Sequence, residues 1–286
     1  MLEDEIDQEE KRTEHRKVIL IAAGIFILLA ICAGIYYLWV YKKPPEEAQP
    51  IEAPPVAAAE AESLPGIKPE VPALPLVELD KSDDLVRQLA SELSSHPRLI
   101  QWLQSKELVR RFVAGVDNIA NGLSPRPNIE FFMPDGEYQA IERGGLYYAN
   151  PDGYSRYNPV VDVFISLDSQ KCVSLFRGLK PLLQEAYRDL GYPDEDFENT
   201  LIKAIIELLK APVVDGTILL DKRVLSFVML DPKLENLSEA QKHLLRMGPE
   251  NVEAIQKKLR EIGLAFGVPE GQLPQMHYYT PRAEDF

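Results

Sequence analysis

Residues 18–41 read VILIAAGIFILLAICAGIYYLWVY, 24 positions with neither a charge nor a polar stripe. A helix buried in a soluble domain shows one apolar and one polar face. A helix of this length rises about 36 Å, enough to cross a hydrocarbon layer of about 30 Å with some tilt. The run therefore predicts a transmembrane helix. Lys11, Arg12, Arg16 and Lys17 precede it, and only Lys42 and Lys43 follow. Excess basic charge marks the cytoplasmic side, so the tail 1–17 is expected in the cytoplasm and the rest of the chain across the membrane. Tyr36, Tyr37, Trp39 and Tyr41 gather at the far end, where such rings settle among headgroups. A cleaved signal has a shorter apolar core and a small-residue cleavage site, and Ile31 stands before Cys32 where a lipidation site carries a small residue. The span is thus read as an uncleaved anchor. Ala30 and Gly34 form one small-xxx-small pair, which supports at most a weak homodimer through the membrane helix.

After the span the pattern loses all periodicity. Residues 42–80 form a Pro-rich acidic linker, in which 44–80 hold nine prolines and eight carboxylates against the single Lys68. Too little apolar surface is present to offset the entropy of ordering, so an extended tether is expected. Stretched at about 3.1 Å per residue it reaches roughly 110 Å, and as a flexible coil nearer 35 Å.

Helical periodicity then takes over. Ser82 before Asp83 and Asp84 is expected to cap a helix with Leu85, Leu89 and Leu93 four apart. Pro97 opens a short helix through Trp102, and Ser105 is expected to cap a third. Leu108, Val109, Phe112, Val113, Val116 and Ala120 give that third helix its apolar face, which stops at Asn121-Gly122. Segments 137–141 and 146–149 flank Arg143-Gly144-Gly145 and predict a small β-hairpin. Asn158 with Pro159 restarts the helical pattern. Asp168 begins a long run carrying Cys172, Leu175, Phe176, Leu179, Leu182, Leu183, Ala186 and Leu190, expected to bend at Gly178 and Pro181 and to end at Gly191-Tyr192-Pro193. A further helix over about 195–210 sets Phe197, Leu201, Ile205 and Leu208 on one side. Residues 217–229 fit an extended segment or short hairpin. Ser238 caps a helix to about residue 247, Gly248-Pro249 turns a corner, and Val252, Ile255, Leu259 and Ile262 line the last helix. The tail 268–286 is expected to be loose. The expected fold class is mainly α: a multi-helix globular domain over 81–267 with a minor β-hairpin element, preceded by one transmembrane helix.

Charge and composition remove several function classes. The net charge is -14, and residues 81–286 carry 24 basic against 30 acidic side chains, so no nucleic-acid partner is expected. Two cysteines exclude a disulfide scaffold. His15, His96, His243 and His277 are scattered without ligand spacing, so no metal is expected. The acidic segment Asp194-Glu195-Asp196-Phe197-Glu198 lacks the glycine and terminal glutamate of a calcium loop, and its carboxylates suit the start of the following helix. There is no G-x-S-x-G elbow and no phosphate-cradling glycine loop, so neither a catalytic residue nor a cofactor is assigned. Cys172, on an apolar helix side, reads as an inert buried thiol.

Four blocks resemble one bacterial family: His96-Pro97; Arg110-Arg111-Phe112-Val113 through Asp117-Asn118; Gln184-Glu185-Ala186-Tyr187-Arg188 through Leu190-Gly191-Tyr192-Pro193; and Leu245-Arg246-Met247-Gly248-Pro249-Glu250-Asn251. In this order they are similar to the domain of unknown function 3014, over most of residues 77–262. The resemblance brings no activity. It implies a Gram-negative envelope protein with an N-terminal anchor, hence an inner-membrane protein whose distal domain is periplasmic.

Polar residues in suggestive places remain. Arg110 and Asp117 share one helix stripe and Arg111 and Asn118 the next, which suggests a structural network tying the helices to the hairpin. Tyr147, Tyr148, Tyr154, Arg156 and Tyr157 make an aromatic and basic cluster of the kind interfaces favour. With Asp162, Glu185 and Tyr187 they form the candidate recognition surface. If buried, Asp162 would need Arg111 or Arg156 as a partner. The leading expectation is a tethered adaptor whose periplasmic domain binds an envelope protein. The alternative is a periplasmic enzyme or ligand-binding module acting on a cell-wall or small envelope molecule, with Asp162 and Glu185 as acid and base.

Overall fold

The computed structural model describes residues 77–128, 138–224 and 226–281. The N-terminal tail 1–17, the apolar run 18–41 expected to span a membrane, and the linker to residue 76 lie outside them. Among the described residues no helix is long and apolar enough to cross a membrane. The last linker residues belong to the fold: Leu79–Lys81 form a 3-10 turn whose Leu79 is buried in the first core cluster.

That turn also removes the expected cap. Ser82 has helical angles, so its hydroxyl points back and donates to the carbonyl of Leu79 at 2.7 Å instead of capping α1 (Asp83–Ala90). After α2 (Pro97–Trp102), Ser105 does not cap α3 (Leu108–Ala120) either. Asp83 does so from a distance, accepting the N–H groups of Glu107 at 2.8 Å and Leu108 at 2.9 Å.

The predicted hairpin is present as β1 (Ala140–Arg143) and β2 (Leu146–Ala149), in register Ala140 to Ala149 and Arg143 to Leu146. Gly144 at φ 60 and Gly145 at φ 81 supply the two left-handed positions of its turn. A 3-10 helix Pro151–Tyr157, capped by Asn150, runs straight into α4 (Asn158–Ile165). Asn158 therefore sits inside the helix instead of capping it. Asp168 accepts from Gln170 and Lys171, both at 2.9 Å, and starts α5 (Ser169–Asp189), which carries Pro181 inside one unbroken helix. Its buried positions are Val173, Phe176, Leu179, Leu182, Leu183, Ala186 and Tyr187, while Leu190 faces solvent.

Asp196 caps α6 (Phe197–Leu209), whose buried face is Phe197, Thr200, Ala204, Ile205 and Leu209. There follow β3 (Val213–Val214), β4 (Leu219–Lys222), β5 (Phe227–Met229) and α7 (Pro232–Glu235). Ser238 and Gln241 form a full capping box on α8 (Glu239–Leu245), and α9 (Pro249–Ala265) follows Gly248.

The two hairpins are not separate. Tyr147 pairs with Leu220 and Tyr148 with Leu219, giving one antiparallel sheet of order β1-β2-β4-β5. The segment after Gly267 also departs from expectation. Leu273 is buried, and β6 (Tyr278–Tyr279) pairs in parallel with β3. Tyr279 donates its hydroxyl to the buried carboxylate of Asp231, and the Lys233 ammonium lies 5.5 Å from its ring. The domain is thus mainly helical with a small antiparallel sheet. One apolar cluster joins α1, α2, α3, α5 and the start of α6, a second joins α6 and α9, and a third lies under the sheet.

Candidate functional site

Three helix ends meet at a polar cleft. The long helix α5 stops in a Schellman motif: Gly191, at φ 105, lets its own N–H reach the carbonyl of Arg188 while that of Tyr192 reaches Tyr187. The hydrophobic contact that accompanies such a stop is a stack of Tyr187 on Tyr192, with ring centroids 4.6 Å apart. The loop then returns to α6 held by Lys180, which pairs with Asp196 at 2.9 Å and Glu198 at 3.1 Å. Gln184 accepts the N–H of Phe197 at 3.1 Å, fixing where α6 begins. These constraints bring Glu195, Asn199, Thr200 and Lys203 opposite the last turn of α3, where Asp117 and Asn121 lie one turn apart.

The result is a cleft of about 250 Å³ among α3, the end of α5 and the start of α6. Tyr187 forms its inner wall, 1% exposed, with its hydroxyl 2.8 Å from that of Thr200 and donating to Glu195 at 3.5 Å. Burial holds the Asp117 carboxyl above its ordinary value, aided by the negative charge of Glu195. Hydrogen bonds from Asn121 and Tyr192 and the positive charge of Lys203 oppose that rise. The amide of Asn121 spans the cleft, donating to Asp117 at 3.1 Å and accepting from the Lys203 ammonium at 3.3 Å. Asp117 thus sets a negative charge on one side of the cleft, and Glu195 and Lys203 set one charge of each sign on the other. A second, wider depression of about 580 Å³ on the outer side of α5 is lined by Arg177, Lys180, Pro181, Gln184 and the acidic loop. Its Lys180 is already paired with Asp196 and Glu198.

Of the residues singled out from sequence, Asp117 and Tyr187 meet in this cleft. Their companions do not. Arg110 bonds Asp189 and, at 2.9 Å, Asp80, tying the first turn to the end of α5 instead of joining Asp117. Arg111 donates to the carbonyl of Lys106 and Asn118 to that of Ser124. The four thus go to separate partners, none of them on the hairpin. Tyr147 packs against Phe227 and under Lys222 at the sheet, and Tyr148 points to the opposite sheet face. Arg156 lies over the rings of Tyr157 and Tyr138 and donates to the Tyr157 hydroxyl at 2.8 Å. Tyr157 itself is buried. Tyr154 flanks the third apolar cluster, whereas Tyr187 belongs to the first, so the expected surface is drawn from two different regions. Asp162 on α4 and Glu185 on α5 are both exposed, and the arginines proposed for Asp162 are engaged elsewhere.

Asn121, Tyr192, Glu195, Thr200 and Lys203 complete the cleft, although the sequence marks the first two only as helix stops and Glu195 only as part of an acidic helix start. The signal for Tyr192 was its place directly after the helix-stopping glycine, and for Asn121 its spacing of four from Asp117. Among the described residues no group of histidine, cysteine and carboxylate side chains is placed to hold a metal ion.

The glycine corner has a local cause. A side chain at Gly248 would meet the ring of Tyr154 at 2.5 Å, and Asn251 ties the same corner by donating to the carbonyl of Met247 at 2.9 Å and to the side-chain oxygen of Asn158 at 3.1 Å. No curated protein and no solved structure matches the chain. A family match runs from residue 108, where α3 begins, to residue 263 in α9. It takes in every cleft residue and the Gly248 corner and leaves out His96-Pro97. Covering more than half of the 286 residues, it means that the chain belongs to the family described as "Protein of unknown function (DUF3014)".

Proposed function

We propose that the protein is a single-pass inner-membrane protein whose periplasmic domain is a tethered binding module, an adaptor that engages an envelope partner through the Asp117 cleft. The anchor rests on the uncharged run 18–41 and the basic residues before it, and the reach on the proline-rich linker. The observation that carries binding over catalysis is the state of the cleft's polar groups. Asp117, Asn121 and Lys203 are linked in a chain of hydrogen bonds, and Tyr187 is locked to Thr200. No serine, cysteine or histidine lines the cleft, so the nucleophile and base pair that acyl transfer needs is not among its described residues. Asp162 and Glu185, exposed on different helices, make a poor acid and base pair.

Two measurements test this reading. A reporter enzyme fused behind Phe286 is expected to report a periplasmic environment, and a cytosolic signal overturns the anchor and the compartment together. A photo-crosslinker at the exposed Asn199 is expected to capture a specific envelope protein in intact cells, with capture lost in Asp117→Asn. Turnover of a wall fragment by the purified protein, with no specific capture, overturns the adaptor reading in favour of an enzyme.

A further inference from the structure

We infer that the cleft between α3, α5 and α6 receives the head group of an α-amino acid, its ammonium against Asp117 and Glu195 and its carboxylate against Lys203. The inference rests on the binding role proposed for this cleft and adds the ligand's chemistry.

Charge makes the first selection. A lone cation entering the cleft meets Lys203, and a lone anion meets two carboxylates. Only a group with both charges can meet the carboxylates and Lys203 at once. Geometry makes the second. Asn121 donates from its amide nitrogen to Asp117 at 3.1 Å and accepts on its amide oxygen from Lys203 at 3.3 Å. The nitrogen and oxygen of a side-chain amide are about 2.3 Å apart, and the nitrogen and nearer carboxylate oxygen of an α-amino acid about 2.7 Å, from ordinary bond lengths. The two sides are therefore spaced for one donor and one acceptor about 2.3–2.7 Å apart. A dipeptide, whose charges are several bonds apart, does not fit that spacing.

The resident amide is neutral, whereas the head group carries full charges at both ends. The resident bonds each already have one ionised partner, and the ligand adds the Coulomb attraction of a second, opposite charge at both ends, so it competes favourably for the same two positions. Asn121 is exposed and ends its helix, so it turns aside at the cost of one further hydrogen bond, from its amide to the Asp117 carbonyl at 3.0 Å. The Tyr192 ring, stacked on Tyr187, gives the ammonium an aromatic neighbour. The volume of about 250 Å³ leaves room beside the head group for a short side chain.

The test is calorimetric titration of the full chain in detergent micelles. Alanine is the probe, with methylamine and acetate as single-charge controls and alanylalanine as the dipeptide. Alanine is expected to bind at least tenfold more tightly than any control. Asp117→Asn and Lys203→Met are each expected to weaken it tenfold or more, and Asn121→Ala to tighten it severalfold by removing the competing amide. Unchanged melting temperatures in Lys203→Met and Asn121→Ala separate these effects from misfolding. Nε-acetyllysine distinguishes the source: binding as tight as alanine assigns the head group of a larger molecule, and binding of alanine alone assigns a free amino acid. Equal binding of methylamine or acetate, or unchanged affinity in Asn121→Ala, overturns the inference. If no amino acid binds while Asp117→Asn still abolishes partner capture, the head-group assignment falls and the binding role stands. If Asp117→Asn alters neither, both fall.

Discussion

The carboxylate of Asp83, on the first helix, accepts the backbone N–H groups of Glu107 and Leu108 at 2.8 and 2.9 Å and so caps a helix that begins 25 residues later. The contact holds Glu107 in the left-handed region, at φ 57, the sole non-glycine residue at positive φ among the described residues. It also sets where α3 starts, and hence where Asp117 stands at the other end.

Replacing Asp83 with alanine leaves two N–H groups of α3 without their acceptor. A lost cap costs about 1–2 kcal/mol, so Asp83→Ala is expected to lower the unfolding free energy by that amount in denaturant titration. Asp83→Asn keeps an acceptor and should recover part of it. Equal stability of the alanine variant refutes the capping role.

Gly248→Ala is expected to be more damaging. The new methyl carbon lies 2.5 Å from the Tyr154 ring, and the backbone at φ 87 disfavours any side chain. Overpacking and backbone strain together are expected to cost about 2–4 kcal/mol. Pairing Gly248→Ala with Tyr154→Ala should return the steric part, which a double-mutant cycle measures as a favourable coupling.

His243 makes stability depend on pH. Its Nε2 is 2.8 Å from the Ser124 hydroxyl, and burial pushes its pKa below the ordinary 6.5, helped by the positive charge of Arg246. Below 6.5 the unfolded chain takes up a proton that the folded one resists. Stability from this group is therefore complete above 6.5 and falls as pH drops from there toward the folded value, at no more than about 1.4 kcal/mol per pH unit. His243→Gln cannot titrate and should remove that slope between pH 7 and 5. A slope the same as wild type assigns the effect to other groups.

The Cys172 thiol is pushed up to about 11, first by burial and then by the negative charge of Asp168. Almost no thiolate forms at pH 8, so iodoacetamide should modify the folded protein far more slowly than the denatured chain. Comparable rates, read by mass spectrometry, count against a protected thiol.

Local signals were the ones visible in the chain itself. Asp168, Ser238 and the Gly144-Gly145 turn act where their spacing puts them, because each bonds backbone within three residues. Ser82, Ser105 and Asn158 fail as caps for nonlocal or upstream reasons: a 3-10 turn already occupies the place before Ser82 and Asn158, and Asp83 arrives from elsewhere to displace Ser105. The union of the two hairpins depends on Tyr147 meeting Leu220, a pairing that no periodicity encodes. The cleft was half visible. Asp117 and Tyr187 stand out as polar residues on apolar helices, while Glu195 and Lys203 look like ordinary solvated charges until three helix ends converge.

The pairing of β6 with β3 gives the domain an order of assembly. Val213 and Val214 present their edge before its partner exists, since Tyr278 and Tyr279 lie roughly 65 residues further along, and contacts that distant form late. Until they form, an apolar strand edge stays open to adventitious pairing. In a chain made from its N-terminus onward, this vulnerable edge exists only over about the last quarter of the 286 residues, so quality control should act most strongly on nearly finished molecules whose final strand has not yet closed.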